Sequence, residues 1–223
     1  SMKYGTTIKT ETITSADLST APFTVKTDYA EFTTKTVIIA TGAIAKRMDL
    51  PGEEEYWQKG ISACAVCDGA LPVFRNRPLI VIGGGDTACE EASFLSKFGS
   101  TVYMLVRRNV LRASQAMQKR VEKSENIEIL WETEALEVVG EQFVTGVKVL
   151  DKKLGKEKRI EAAGLFYAIG HKPNTEFLGG QLEMDAEGYL ITEPNSTKTK
   201  IPGVFACGDV RDKVFTRDLF GAD

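Results

Sequence analysis

The chain has 223 residues, 43% of them hydrophobic and 26% charged, with a formal net charge of −3. That composition is ordinary for a globular protein with one large or two small domains. Its charge balance offers no footprint for nucleic acid or an anionic membrane, and no apolar run reaches the roughly 18 residues of a bilayer-spanning helix.

Residues 6–13, 23–26 and 31–39 alternate or are rich in β-branched side chains. They predict an antiparallel meander with turns at Ser15-Ala16-Asp17 and Thr27-Asp28-Tyr29. The apolar run 37–40 predicts a buried strand that ends on the turn Thr41-Gly42-Ala43. Residues 46–60 hold Pro51, Gly52 and three consecutive glutamates, and read as a linker into a second domain. Next comes Cys64-Ala65-Val66-Cys67, at the start of a short helix.

Residues 78–83 predict a buried strand, and Gly83-Gly84-Gly85 a tight turn. Residues 86–98 predict a helix with apolar positions Ala88, Ala92, Leu95 and Phe98, and Gly99 lies past its end. With a second strand at 101–106 this is one βαβ unit. A further amphipathic helix is expected over 113–123 and strands within 127–150, with turns at Gly140 and 151–155. A buried strand over 164–169 ends at Gly170. The expected fold is α/β, with no internal repeat.

Four motifs carry chemistry. Gly83-Gly84-Gly85-Asp86-Thr87-Ala88 fits G-x-G-x-x-A between a strand and a helix, the context of a dinucleotide-binding turn. Gly83 permits the turn, Gly85 lets a pyrophosphate approach the backbone, and Ala88 lets helix and strand pack closely. An ordinary glycine-rich turn is the plain alternative. The second strand then meets Arg107, Arg108 and Arg112, where NAD-binding units place an acid about 20 residues on. Cations there suit the 2′-phosphate of NADP; a solvated basic turn is the alternative.

The third motif is Cys64-x-x-Cys67 followed by Asp68. As a zinc half-site it lacks a second ligand pair, because Cys89, Cys207 and His171 are scattered. As a redox pair it needs nothing more, and Asp68 could shuttle the proton. Two unrelated buried cysteines are the alternative. Four cysteines in a chain of this length make no disulfide scaffold, so a reducing compartment is expected. No signal-peptide pattern opens the chain, and a cytoplasmic location is expected, with an organelle as the other option. The fourth motif, Gly208-Asp209-Val210 after a strand, suits a flavin's ribityl or ribose hydroxyl, or is simply a turn.

Taken together these residues resemble low-molecular-weight thioredoxin reductases of the bacterial, fungal and plant type. The resemblance rests on Ala63-Cys-Ala-Val-Cys-Asp-Gly69, the turn at 83–88, Glu90-Glu91-Ala92, Arg107-Arg108 with Arg112-Ala113-Ser114, Ala168-Ile169-Gly170-His171-Lys-Pro-Asn174, and the run 202–210. It implies a class II pyridine nucleotide-disulfide oxidoreductase architecture. A Rossmann-like NADPH-binding domain (51–172) would be inserted into a partial FAD-binding domain (1–50 and 173–223).

The resemblance also implies the chemistry. Hydride would pass from NADPH to FAD, then electrons to the Cys64/Cys67 disulfide and on to thioredoxin. Cys67 would face the flavin, Cys64 would attack thioredoxin, and Asp68 would be the proton donor. Gly83, Gly85, Asp86, Thr87, Ala88, Glu90, Arg107, Arg108, Arg112, Ile169 and Gly170 would bind NADPH. Thr41, Gly42, Ala43, Gly208, Asp209 and Val210 would contact FAD. Segments 44–52 and 170–180 would be hinges.

Three departures stand out. The chain begins after the family's own FAD-binding G-x-G-x-x-G. Residues 214–223 do not match the family's alanine-rich C-terminal helix. Val106 stands where many relatives have His. The isolated chain is therefore expected to bind NADPH yet reduce thioredoxin poorly, and to be monomeric although the family is homodimeric. The alternatives are a related flavin reductase of the alkyl hydroperoxide reductase type and a non-catalytic NADPH-binding remnant. Cys207 is expected as a small buried residue and His171 as a loop residue.

Overall fold

The computed structural model describes residue 3 and residues 5–212. The departure expected over 214–223 lies outside the described residues. Packing divides the chain into two units, one of residues up to 44 with those from 171 on, the other of residues 45–170.

The first unit opens with β1 (Ile13–Asp17), β2 (Phe23–Thr27) and β3 (Glu31–Thr34), an antiparallel sheet in that order. The strand expected over 6–13 is not formed, and β1 instead runs through the expected Ser15-Ala16-Asp17 turn. Burial explains the shift. Ala16 and Leu18 reach the unit's interior, whereas Ile8 is 63% exposed, so alternation in 6–13 has no core to serve.

The expected strand over 31–39 breaks at Lys35 and Thr36 because the chain changes sheets there. The next strand, β4 (Val37–Ile39), leaves the meander for a parallel partner described below. Its apolar run is not wholly buried either: Ile39 is buried but Ile38 is 71% exposed. A short β5 (Ala43–Ala45) follows at the boundary between units.

The second unit contains α1 (Glu53–Tyr56), β6 (Ile61–Ser62), α2 (Ala65–Asp68), β7 (Leu79–Ile82), α3 (Asp86–Leu95), β8 (Val102–Val106), α4 (Gln115–Glu122), β9 (Ile127–Trp131), β10 (Thr133–Gly140), β11 (Val144–Asp151), β12 (Lys156–Glu161) and β13 (Gly164–Tyr167). Five strands make a parallel sheet in the order β6-β13-β7-β8-β9. Strands β10, β11 and β12 make an antiparallel meander.

Strand β7 shows why its four apolar residues run consecutively. Leu79 and Val81 pack with Ala88, Cys89, Ala92, Leu95 and Val121 of α3 and α4. Ile80 and Ile82 pack on the opposite face with Ala135, Val138, Val147 and Val149 of the meander. A strand covered on both faces has no polar side. Charged β12, with only Ile160 buried, had no such signature in the sequence.

The supposed linker 46–60 holds α1, which corrects that expectation. Glu53 is 3% exposed. Its Oε2 accepts hydrogen bonds from Tyr167 Oη (2.8 Å), Met48 N (3.1 Å) and Leu50 N (3.3 Å). A run of glutamates reads as solvated, but this one is satisfied by three donors and so tolerates burial.

The chain then returns to the first unit. There β14 (His171–Pro173) pairs with β5, and β15 (Val204–Ala206) pairs in parallel with β4. Ala16, Leu18, Phe23, Ile39, Leu178, Leu190, Val204 and Val210 build its core. Among the described residues, no helix is long and apolar enough to cross a membrane.

Candidate active site

In the second unit, four groups of candidate residues leave the carboxyl ends of strands in one parallel sheet. The dithiol follows β6, the glycine turn follows β7, the arginines follow β8, and Ile169 and Gly170 follow β13. The register joins these ends: Phe166 pairs with Ser62 and Val81, while Ile82 pairs with Tyr167 and Leu105. In open parallel sheets this edge is where ligands bind.

Cys64 and Cys67 form a disulfide, their Cα atoms 5.3 Å apart. Cys64 caps α2, and its Sγ accepts the Cys67 backbone N–H at 3.2 Å. Cys67 is exposed and Cys64 half-buried. Asp68, the last residue of α2, accepts a hydrogen bond at Oδ2 from Ser62 Oγ at 2.6 Å. Ser62 Oγ in turn accepts the Cys64 N–H at 3.1 Å. Ser62 was not singled out from the sequence. Its one signal was a hydroxyl two residues before the first cysteine, and a serine at a strand end is commonplace.

The glycine turn is built tightly. Gly83 has φ of 147°, and a Cβ there would stand 2.5 Å from Ala168 O and 2.9 Å from Ala88 Cβ. Gly85 caps α3, and a Cβ on it would meet no atom within 4 Å. The first glycine thus serves the fold, and the second leaves open space at a helix N-terminus, where an anion is favoured.

Asp86 Oδ1 accepts from Ser114 N (2.9 Å) and Ser114 Oγ (2.8 Å). Arg112 N donates to Gly84 O at 2.7 Å. The arginine-bearing loop is therefore fastened directly onto the glycine turn. Arg107, Arg108 and Arg112 are exposed, and none is in an ion pair with a described residue. Thr87 is half-buried, Ala88 is buried and Glu90 is exposed on α3. Cys89 faces the core, and burial, with the Asp86 charge nearby, pushes its thiol up to about 11.

In the first unit, β4 and β15 lie side by side with Ile39 opposite Ala206. Thr41, Gly42 and Ala43 leave one strand and Gly208, Asp209 and Val210 the other, so two stretches far apart in sequence meet at one carboxyl edge. Cys207 N donates to Ile39 O at 3.0 Å across that edge. Asn174 fixes the first turn: its Nδ2 donates to Thr41 O (2.9 Å), its N–H to Gly42 O (3.0 Å), and Thr41 Oγ1 donates to Asn174 O (2.8 Å). Asp209 is exposed and Val210 buried. Cys207 is half-buried rather than buried, because it stands at the edge where the strand pair ends. His171 is exposed on β14.

The family model "Pyridine nucleotide-disulphide oxidoreductase" matches residues 2–218. A thioredoxin reductase of Dictyostelium discoideum is 54% identical over 224 residues, covering 99% of this chain and 70% of the relative. Thioredoxin reductase 1 of Saccharomyces cerevisiae is 54% identical over 227 residues, covering 100% of this chain and 71% of the relative. The chain belongs to the thioredoxin reductase family. Among solved structures, thioredoxin reductase from Giardia duodenalis superimposes with a TM-score of 0.79 at 43% identity, covering 92% of this chain and 67% of that one. The α/β fold expected from the motifs, and the Rossmann-like architecture that the resemblance implies, are those of the family, and the chain spans 60% to 72% of the length of curated relatives such as these.

Proposed function

We propose that the chain carries the NADPH-binding and dithiol parts of an NADPH-dependent thioredoxin-disulfide reductase, together with part of its flavin site. The observation that carries this reading is the shared carboxyl edge. One parallel sheet presents the Cys64/Cys67 disulfide, the glycine turn and the three arginines on the same side. We assign residues 51–172 to the NADPH-binding domain and 1–50 with 173–223 to the partial FAD domain. The two packing units support that division.

The residues fit the groups. Gly85 leaves room at the start of α3 for a pyrophosphate, and Arg107, Arg108 and Arg112 are free to take a 2′-phosphate. In the first unit a Cβ at Gly42 or Gly208 would meet nothing within 4 Å, which leaves the β4/β15 edge open to a flavin nucleotide, with Asp209 offering a carboxylate to its hydroxyls. Bound together, NADPH and FAD supply an electron pair to the disulfide.

The chain's own residues do the rest. Two electrons and two protons convert Cys64/Cys67 to a dithiol. The Cys67 N–H directed at Cys64 Sγ stabilises negative charge there, which suits Cys64 as the attacking thiolate. Cys64 attacks thioredoxin's disulfide to form a mixed disulfide and expel one thioredoxin thiolate. Cys67 then attacks Cys64 Sγ and releases thioredoxin as a dithiol. Asp68 carries the proton that the departing or attacking sulfur gains or loses.

The test is the visible absorption spectrum of the purified chain before and after anaerobic NADPH. A flavin band near roughly 450 nm that bleaches with NADPH, followed by turnover of thioredoxin, is the expected result for a complete electron path. A colourless chain that neither binds NADPH nor exchanges its disulfide with thioredoxin would sink the proposal. NADPH binding by a colourless chain would restrict it to the nucleotide and dithiol parts.

A further inference from the structure

We propose that Ser62 is a positioning residue for the acid–base step of dithiol chemistry. The inference rests on the reading of Asp68 as the proton carrier. Ser62 ends β6 and is 6% exposed. A serine hydroxyl has one proton to donate and lone pairs to accept. The proton has two candidate acceptors, Asp68 Oδ2 at 2.6 Å and Cys64 O at 3.4 Å. The carboxyl wins on distance. A lone pair receives the Cys64 N–H at 3.1 Å.

One buried atom therefore ties the acid to the backbone of the cysteine that attacks. It does so from a strand whose register is set by β13, so the tie is anchored to the sheet and not to the short α2. A free aspartate at a helix end samples several rotamers. With Oδ2 held, the carboxyl keeps one orientation, and Oδ1, which makes no hydrogen bond to a described residue, is left to carry the exchangeable proton.

The step itself balances simply. An external thiolate attacks one sulfur of the disulfide, the S–S bond breaks, and the other sulfur leaves with the electron pair as a thiolate. That thiolate takes the proton from the Asp68 carboxyl, which regains one from water. Ser62 neither gives nor takes a proton in the net reaction; its hydroxyl sets where the carboxyl stands.

The experiment needs no flavin. The full-length oxidised chain is mixed with excess dithiothreitol, which supplies both electrons and closes to its own cyclic disulfide. Samples are quenched with an alkylating reagent, and the rate of opening of the Cys64/Cys67 bond is read for the parent chain, Ser62→Ala, Ser62→Thr, Asp68→Asn and the double variant Ser62→Ala/Asp68→Asn. Losing the hydrogen bond that holds the carboxyl should slow Ser62→Ala about tenfold. Ser62→Thr keeps the hydroxyl and should stay within about threefold of the parent, a partial cost of fitting an extra methyl. In the Asp68→Asn background the Ser62→Ala change should add nothing, because residues acting through one another are not additive.

Three results overturn the proposal: Ser62→Ala at the parent rate, slowing that multiplies with that of Asp68→Asn, or a Ser62→Ala chain that circular dichroism shows to be unfolded, which would make the serine structural. If Asp68→Asn slows opening and Ser62→Ala does not, only the positioning role falls. If Asp68→Asn has no effect, the assignment of Asp68 falls with it.

Discussion

Gly83 and Gly85 belong to one motif, yet they answer to different constraints. At Gly83 the backbone has positive φ and a side chain would press on Ala168 O; at Gly85 φ is −98° and the space is open. Gly83→Ala should cost about 1–3 kcal/mol of stability through strain and clash. Gly85→Ala should leave stability within about 0.5 kcal/mol of the parent yet remove NADPH binding, because its methyl fills the pyrophosphate's space. Thermal unfolding and titration calorimetry on the two variants separate these outcomes. The cysteines divide in the same way. With its thiol pushed up to about 11 by burial, Cys89 should resist iodoacetamide at pH 8 in the folded, reduced chain, while Cys64 and Cys67 are alkylated. Peptide mapping reads this directly, and Cys89 labelling at the rate of the dithiol would contradict it.

At the level of elements, α1 shows how a polar segment earns an interior place. Glu53 binds the incoming backbone at Met48 and Leu50 and reaches Tyr167 at the end of β13, so one carboxyl joins the start of the unit to its last strand. Burial, and then the hydrogen bond and charge of Glu53, raise the Tyr167 phenol above its ordinary range. A group with a raised folded value favours its neutral form in the fold. Its contribution is therefore complete below the unfolded value of about 10 and is lost as pH climbs beyond it. Tyr167→Phe should lower stability at pH 7 by about 1–3 kcal/mol, since Glu53 loses a buried donor. It should also lose less stability than the parent between pH 10 and 11. Urea unfolding at several pH values gives both readings, and identical alkaline slopes would refute the second.

On the scale of the molecule, the second unit is a contiguous stretch, 45–170, and both of its hydrophobic clusters lie inside that stretch. The first unit is assembled from two separated stretches that share one core. A fragment of residues 45–170 should therefore fold cooperatively and bind NADPH within about threefold of the full chain's affinity, each unit having its own core. Circular dichroism and calorimetry on the fragment test this. A fragment that does not melt cooperatively would mean that its cores need residues outside the stretch.

Local patterns in the sequence already determined the βαβ unit, the glycine turn, the arginines after the second strand, the dithiol and the parallel strands buried on both faces. Each is read within one continuous stretch of chain, where side-chain period and residue type report the environment directly. Tertiary structure alone decided that β4 pairs with β15, which brings the Thr41 and Gly208 turns to one edge. It placed β1 on Ile13–Asp17 instead of 6–13, buried Glu53 beside Tyr167, and set Ser62 against Asp68. Those features depend on which distant segment supplies the opposing strand, core or donor, and residues next to one another in the chain carry no record of that partner.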